Sequence, residues 1–171
     1  MTLDLVIRNG TIVDGSGMGR YRADVGVADG RIVEIGRIRA PAQRTIDADG
    51  LIVSPGFIDG HTHMDAQIFW DQLGSCSCWH GITSVVMGNC GFTLAPATKA
   101  QRPLVVRNLE RAEDISGEAM AAAIEWSWSS FREYLDTLEA LPKGINYGCQ
   151  LGHSALRTYV MGERAGGNGS A

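Results

Sequence analysis

His61 and His63 stand two residues apart in Asp59-Gly60-His61-Thr62-His63, directly after the apolar pair Phe57-Ile58. Side chains alternate along a strand, so Asp59, His61 and His63 share one face if the strand runs through them. Two imidazoles at a strand end can reach one divalent cation, and zinc accepts imidazole together with oxygen or thiolate donors. Without context, two histidines in a polar turn would explain the pair better. The apolar lead-in favours the metal, because the C-terminal ends of parallel β/α strands are where such side chains are presented. A thiol follows one strand later. Cys90 lies in Met87-Gly88-Asn89-Cys90-Gly91, closing the β-branched run Thr83-Ser84-Val85-Val86-Met87. The glycines beside it permit close backbone approach. Alone, Cys90 fits a small core residue; beside His61 and His63 it reads as a third ligand.

Other residues that could do chemistry carry weaker signals. Asp59 is a candidate to orient an imidazole from behind the ligands, whereas Asp65 reads as a loop acid. His153 follows a third predicted strand at the same end and is a candidate to line a pocket. Cys76-Ser77-Cys78 reads as part of a loop, with a structural or incidental role. His80, next to Trp79, reads as a packed, hydrogen-bonded histidine. Trp126 and Trp128 read as core or interface anchors. Gly15-Ser16-Gly17-Met18-Gly19 has the wrong spacing for a dinucleotide loop and no helical pattern after it, so it reads as a turn. None of these residues can be assigned as a general base.

The elements that must position the ligands fall into two regions. Up to about residue 50 the sequence alternates short strands and turns. Leu3, Leu5 and Ile7 have strand period, Asn9-Gly10 signals a hairpin, and Asp29-Gly30 and Asp49-Gly50 are further turn pairs. This predicts a small antiparallel β-domain. From Leu51 the order becomes strand, strand, helices, strand. Pro103 can open a helix through Leu104, Val105, Leu109 and Ala112. Ser116 to Ile124 is Ala-rich. Ser130 and Glu133 fit a capping box ahead of Phe131, Tyr134, Leu135, Leu138 and Leu141, and Pro142 stops the run. Ile145 to Leu151 reads as the third strand. That is the start of a βα repeat with a mostly parallel sheet, an α/β fold. The Gly-rich end, 165–171, is expected to be a disordered tail.

Composition sets the outer bounds. The chain has 171 residues and a formal net charge of −4, with no basic stripe to bind nucleic acid. No apolar run approaches the roughly 20 residues of a membrane helix, so no membrane partner is expected. The N-terminus has no basic n-region or long apolar h-region, which favours the cytoplasm. There the four cysteines are expected as thiols or metal ligands rather than two disulfides.

These motifs together resemble the D-aminoacylase (N-acyl-D-amino-acid deacylase) branch of the amidohydrolase superfamily. The resemblance rests on Pro55-Gly56-Phe57-Ile58-Asp59 leading into His61-Thr62-His63, and on Gly88-Asn89-Cys90-Gly91. Leu5 to Gly10, Trp79 to Thr83 and Gly152 to Arg157 add to it. It implies a β-sandwich-like domain, 1–52, beside the first three or so strands of an incomplete metal-dependent hydrolase (β/α)8 barrel, 53–164. It implies one or two divalent ions, zinc foremost, held by His61, His63 and Cys90, the cysteine standing where other relatives use a carboxylated lysine. The implied substrate is a small-molecule N-acyl amide, its non-peptide C–N bond hydrolysed with metal-polarised carbonyl and water. The family's two further zinc-binding histidines and its catalytic aspartate lie on later strands, past the last residue here. The expectation is therefore an N-terminal part, inactive alone, that associates with a C-terminal half or with itself. A non-catalytic metal-binding stub and a cyclic-amide hydrolase are the alternatives; Cys90 argues against the second.

Overall fold

The computed structural model describes residues 2–166, and the chain divides into two compact units between Pro55 and Gly56. The first contains β1 (Leu3–Ile12), β2 (Tyr21–Ala28), β3 (Arg31–Gly36), β4 (Ala42–Asp47) and β5 (Ile52–Val53). They form one sheet in the order β3-β2-β1-β4, with β5 also on β1. Leu3, Val6, Ala28 and Ile38 make its core. Asp29 and Gly30, both at positive φ, form the expected tight turn between β2 and β3.

Two expectations for this unit are corrected. Asn9-Gly10 is not a hairpin, because β1 runs straight through it. Asn9 adopts a φ of 61°, and the β1–β2 register shifts between Ile7 and Gly10. Asparagine tolerates this left-handed backbone, and here the result is a bulge. The bulge is fixed because the Asn9 N–H donates to Asp24 Oδ1 and its amide donates to Asp47 Oδ1. The sheet is also mixed rather than antiparallel: β1 is antiparallel to β2 but parallel to β4 and β5.

The second unit is α/β. Its strands β6 (Phe57–Thr62), β7 (Ile82–Met87) and β8 (Asn146–Cys149) lie in chain order, all parallel. Parallel neighbours need crossover connections. Short helices α1 (Met64–Gln67) and α2 (Ser75–Cys78) serve β6 to β7. α3 (Arg102–Glu113), α4 (Gly117–Ala123) and α5 (Phe131–Ala140) serve β7 to β8, and α6 (His153–Met161) follows β8. Pro103 sits in the first turn of α3 as the sequence suggests. The capping box of α5 is complete: the Glu133 N–H donates to Ser130 Oγ, while the Ser129 and Ser130 N–H groups donate to the Glu133 carboxylate. Those backbone donors, Ser130 first, hold the Glu133 carboxyl below its ordinary range. Cys76-Ser77-Cys78 is helical in α2 rather than loop.

Trp128 organises the core of this unit. It is buried, stacks on Phe69 at 5.3 Å and meets Tyr134 edge-on at 5.1 Å. Its Nε1–H donates to Leu94 O, which satisfies the one polar atom of the indole. Trp126 tilts against it at 4.8 Å, with the Arg102 guanidinium 5.3 Å from the Trp126 ring centre. Both tryptophans are thus packing residues. Of the Gly-rich end, Ala165 and Gly166 belong to a 3-10 turn, Gly162–Gly166, entered through a positive φ at Gly162. Residues 167–171 of the expected tail lie outside the described residues. No helix among the described residues is long and apolar enough to cross a membrane.

Removing the Trp128 ring is expected to cost about 3–5 kcal/mol as Trp128→Ala. Losing only the cap of α5, as Ser130→Ala, is expected to cost about 1 kcal/mol. Urea unfolding of the two variants checks the ranking, and a larger loss for Ser130→Ala would contradict the assignment of Trp128 as the core anchor.

Candidate metal centre

β6 delivers the two histidines. His61 is in the strand, and His63 is the residue before α1, at φ −110° and ψ 38°. Both side chains are exposed, while Thr62 between them is buried on the opposite face. The Thr62 hydroxyl donates to Val86 O at 2.9 Å and so ties the histidine strand to β7. Asp59 Oδ1 accepts the His61 backbone N–H at 3.1 Å, which shapes the strand end.

β7 delivers the thiol. It runs into a turn in which Gly88 and Gly91 take φ values of 81° and 91°. Neither suits a residue with a Cβ, and the turn brings Cys90 back over the strand ends. Cys90 Sγ lies 3.6 Å from His63 Nδ1, and the His61 and His63 ring centres are 5.3 Å apart. One donor atom from each of His61, His63 and Cys90 lies within 4.8 Å of the others. The three residues singled out in the sequence therefore converge, from two strands and a sequence separation of 27. Two imidazole nitrogens and a sulfur form a donor set suited to zinc and poorly suited to magnesium or calcium, which prefer oxygen.

His153 opens α6, with an exposed side chain, at the same end of the sheet. His80 is exposed rather than packed, its backbone N–H donating to Ser77 O. None of the four cysteines is disulfide-bonded. Asp65 is not a loop acid: it lies in α1 and is wholly buried. The Tyr134 hydroxyl donates to its backbone oxygen. Burial, and then the Asp65 charge, pushes the Cys149 thiol up to about 12 and raises the buried Tyr134 hydroxyl as well. No local sequence signal marks Asp65 as buried, since Met64-Asp65-Ala66-Gln67 carries too little pattern to show a face.

Comparison with known proteins places the chain in a family. A family profile described as "Amidohydrolase family" matches residues 44–171. The chain belongs to the amidohydrolase family. A second profile, the N-terminal domain of the urease alpha-subunit, matches residues 1–57. Among amidohydrolases, the D-aminoacylase of Alcaligenes xylosoxydans xylosoxydans is 38% identical over 92% of this chain and 31% of its own length. A D-aminoacylase structure described for its binuclear metal centre superposes with a TM-score of 0.78 at 36% identity, covering 94% of this chain and 32% of that one. The N-acyl-D-glutamate deacylase of Bordetella bronchiseptica, solved with zinc and a phosphonate mimic of the tetrahedral intermediate, gives 0.73 at 36% identity over 95% and 32%. The chain thus spans about a third of the length of the curated relatives it matches, and the D-aminoacylase resemblance extends over nearly all of it.

The thiols offer a direct check of the site environment. Because Cys149 titrates at about 12, it stays protonated between pH 7 and pH 9, and only the thiolate is nucleophilic. Iodoacetamide followed by peptide mass mapping is expected to label exposed Cys76 well before Cys149 at both pH values. Equal labelling at pH 9 would contradict the half-buried setting of Cys149 beside Asp65.

Proposed function

We propose that this chain carries the opening part of the metal centre of an N-acyl-D-amino-acid amidohydrolase, a hydrolase of non-peptide C–N bonds. The observation that carries the proposal is the convergence of His61, His63 and Cys90, with one donor atom from each within 4.8 Å of the others. Its support is the similarity to D-aminoacylases and to the zinc-bound N-acyl-D-glutamate deacylase. In this reading β6, β7 and β8 are the first arc of a (β/α)8 barrel, 53–164, and residues 1–52 form its β-sandwich-like companion. The substrate is a small N-acyl amide reached from the C-terminal ends of the strands.

The three donors fit one or two divalent ions of the zinc type. When bound, such an ion polarises the scissile carbonyl and lowers the pKa of water. The chain's own residues do the positioning. His61 and His63 hold their ring nitrogens toward one point, and Asp59 fixes the His61 backbone. Thr62 locks the histidine strand to the cysteine strand. His153 forms part of the pocket rim. The proton-moving carboxylate of the reaction is supplied by residues beyond those of the relatives' matched third.

The 171-residue chain is expected to bind zinc, and Cys90→Ser to weaken binding by more than about tenfold, the scale at which even supporting residues act. Unchanged affinity in that variant would make Cys90 a core residue instead. With zinc and N-acetyl-D-amino acids the chain alone is expected to show no turnover above background. Hydrolysis abolished by His61→Ala would show that these residues suffice.

A further inference from the structure

We propose that Gly152 and Thr93 are positioning residues for Cys90, so that the β8–α6 junction sets the place of the thiol although it contributes none of the three donors. The inference rests on the reading of Cys90 as a ligand.

Cys90 belongs to the turn 88–93, which has little structure of its own. The Gly91 N–H donates to Gly88 O, and both glycines are left-handed. On one flank the turn meets β6 through the approach of Cys90 Sγ to His63 Nδ1. On the other flank it is fastened to the end of β8 and the start of α6. The Gln150 N–H donates to Met87 O at 2.9 Å, and the Ser154 N–H donates to Gly91 O at 2.8 Å. These two bonds bracket Cys90.

Packing closes the bracket. Gly152 is buried, and a Cβ there would stand 2.7 Å from Gly91 O and 2.7 Å from Thr93 Oγ1. Neither atom can retreat easily. Gly91 O is main chain already held by Ser154, and Thr93 is buried with its hydroxyl donating to Ala95 O at 2.8 Å. The Thr93 methyl also reaches the second glycine: a Cβ at Gly88 would lie 2.7 Å from Thr93 Cγ2 and would collide with Gln150 O. One threonine side chain therefore fills the space between the glycine that starts the cysteine turn and the glycine that starts α6. A methyl added at Gly152 would press on Gly91 O and on the Thr93 side chain, so the 91–93 segment or the start of α6 must shift. The 91–93 backbone touches the sulfur directly, since the Phe92 N–H donates to Cys90 Sγ at 3.5 Å. A Cβ at 2.7 Å stands closer than packed atoms do, so the segment bonded to the sulfur is among those that must give way.

The test uses the full chain with zinc and, separately, cobalt(II), whose thiolate charge-transfer absorption reports the Cys90 bond itself. Gly152→Ala is expected to lower zinc affinity by about ten- to a hundredfold, as loss of supporting contacts does, and to shift or weaken the cobalt–thiolate band at saturating cobalt. Gly19→Ala, where an added Cβ meets nothing within 4 Å, should change neither. Thr93→Ser, which removes only the wedge methyl, should move both readouts in the same direction by less. If Gly152→Ala fails to fold, Thr93→Ser decides alone, and wild-type affinity and spectrum in it would overturn the proposal. A folded Gly152→Ala with a lower melting temperature but an intact band and affinity would also overturn it, because its role would then be structural only. Cobalt bound by the parent chain without any thiolate band would overturn the ligand reading, and this proposal with it.

Discussion

The parallel register of β6 on β7 is the constraint on which the rest depends. Thr62 lies opposite Met87, so the two strands end together on the same side of the sheet. The end of one carries His61 and His63, and the turn beyond the other carries Cys90. A slip of one residue would turn the histidines to the opposite face, because strand side chains alternate. Burial prevents the slip. Thr62 is packed opposite the histidines and bonded to Val86 O, and Val85 and Met87 are sealed in the core. Phe57 and Ile58 at the start of β6 are exposed, so it is the buried, hydrogen-bonded Thr62 against β7 that fixes which face of β6 is left for polar donors.

The sequence was legible wherever a pattern was local. The His-x-His pair and the thiol one strand later needed only strand alternation and the order of elements. The capping box of α5 was readable because its two partners lie three residues apart. What escaped depended on tertiary contacts. Asn9-Gly10 looks like a hairpin by itself, yet Asp24 and Asp47, distant in sequence, hold it as a bulge. His80 is exposed although the tryptophan beside it suggested packing. The start of α6 carries Gly152 with no capping side chain, so nothing in the local sequence announces it. The role of Gly152 and Thr93 depends on contacts across a separation that no periodicity reveals.

Asp65 shows the same limit in energetic form. A carboxylate is costly to bury, and this one sits wholly buried two residues after His63. The aromatic core reaches it through the Tyr134 hydroxyl on its backbone oxygen. The exposed donors of the candidate site and the Trp128–Tyr134 core are consequently joined within a few residues of α1, so the site's edge is anchored in the packing of the unit.

The hydrogen bond from the Ser154 N–H to Gly91 O has a consequence of its own. Coupling between two sites is reciprocal. If the first turn of α6 steadies the thiol for an ion, then an ion on the thiol steadies the first turn of α6 to the same extent. Slow amide exchange at the α6 N-terminus would then report occupancy of a site to which that helix supplies no ligand. The stability of a helix would be a gauge of the chemistry two strands away.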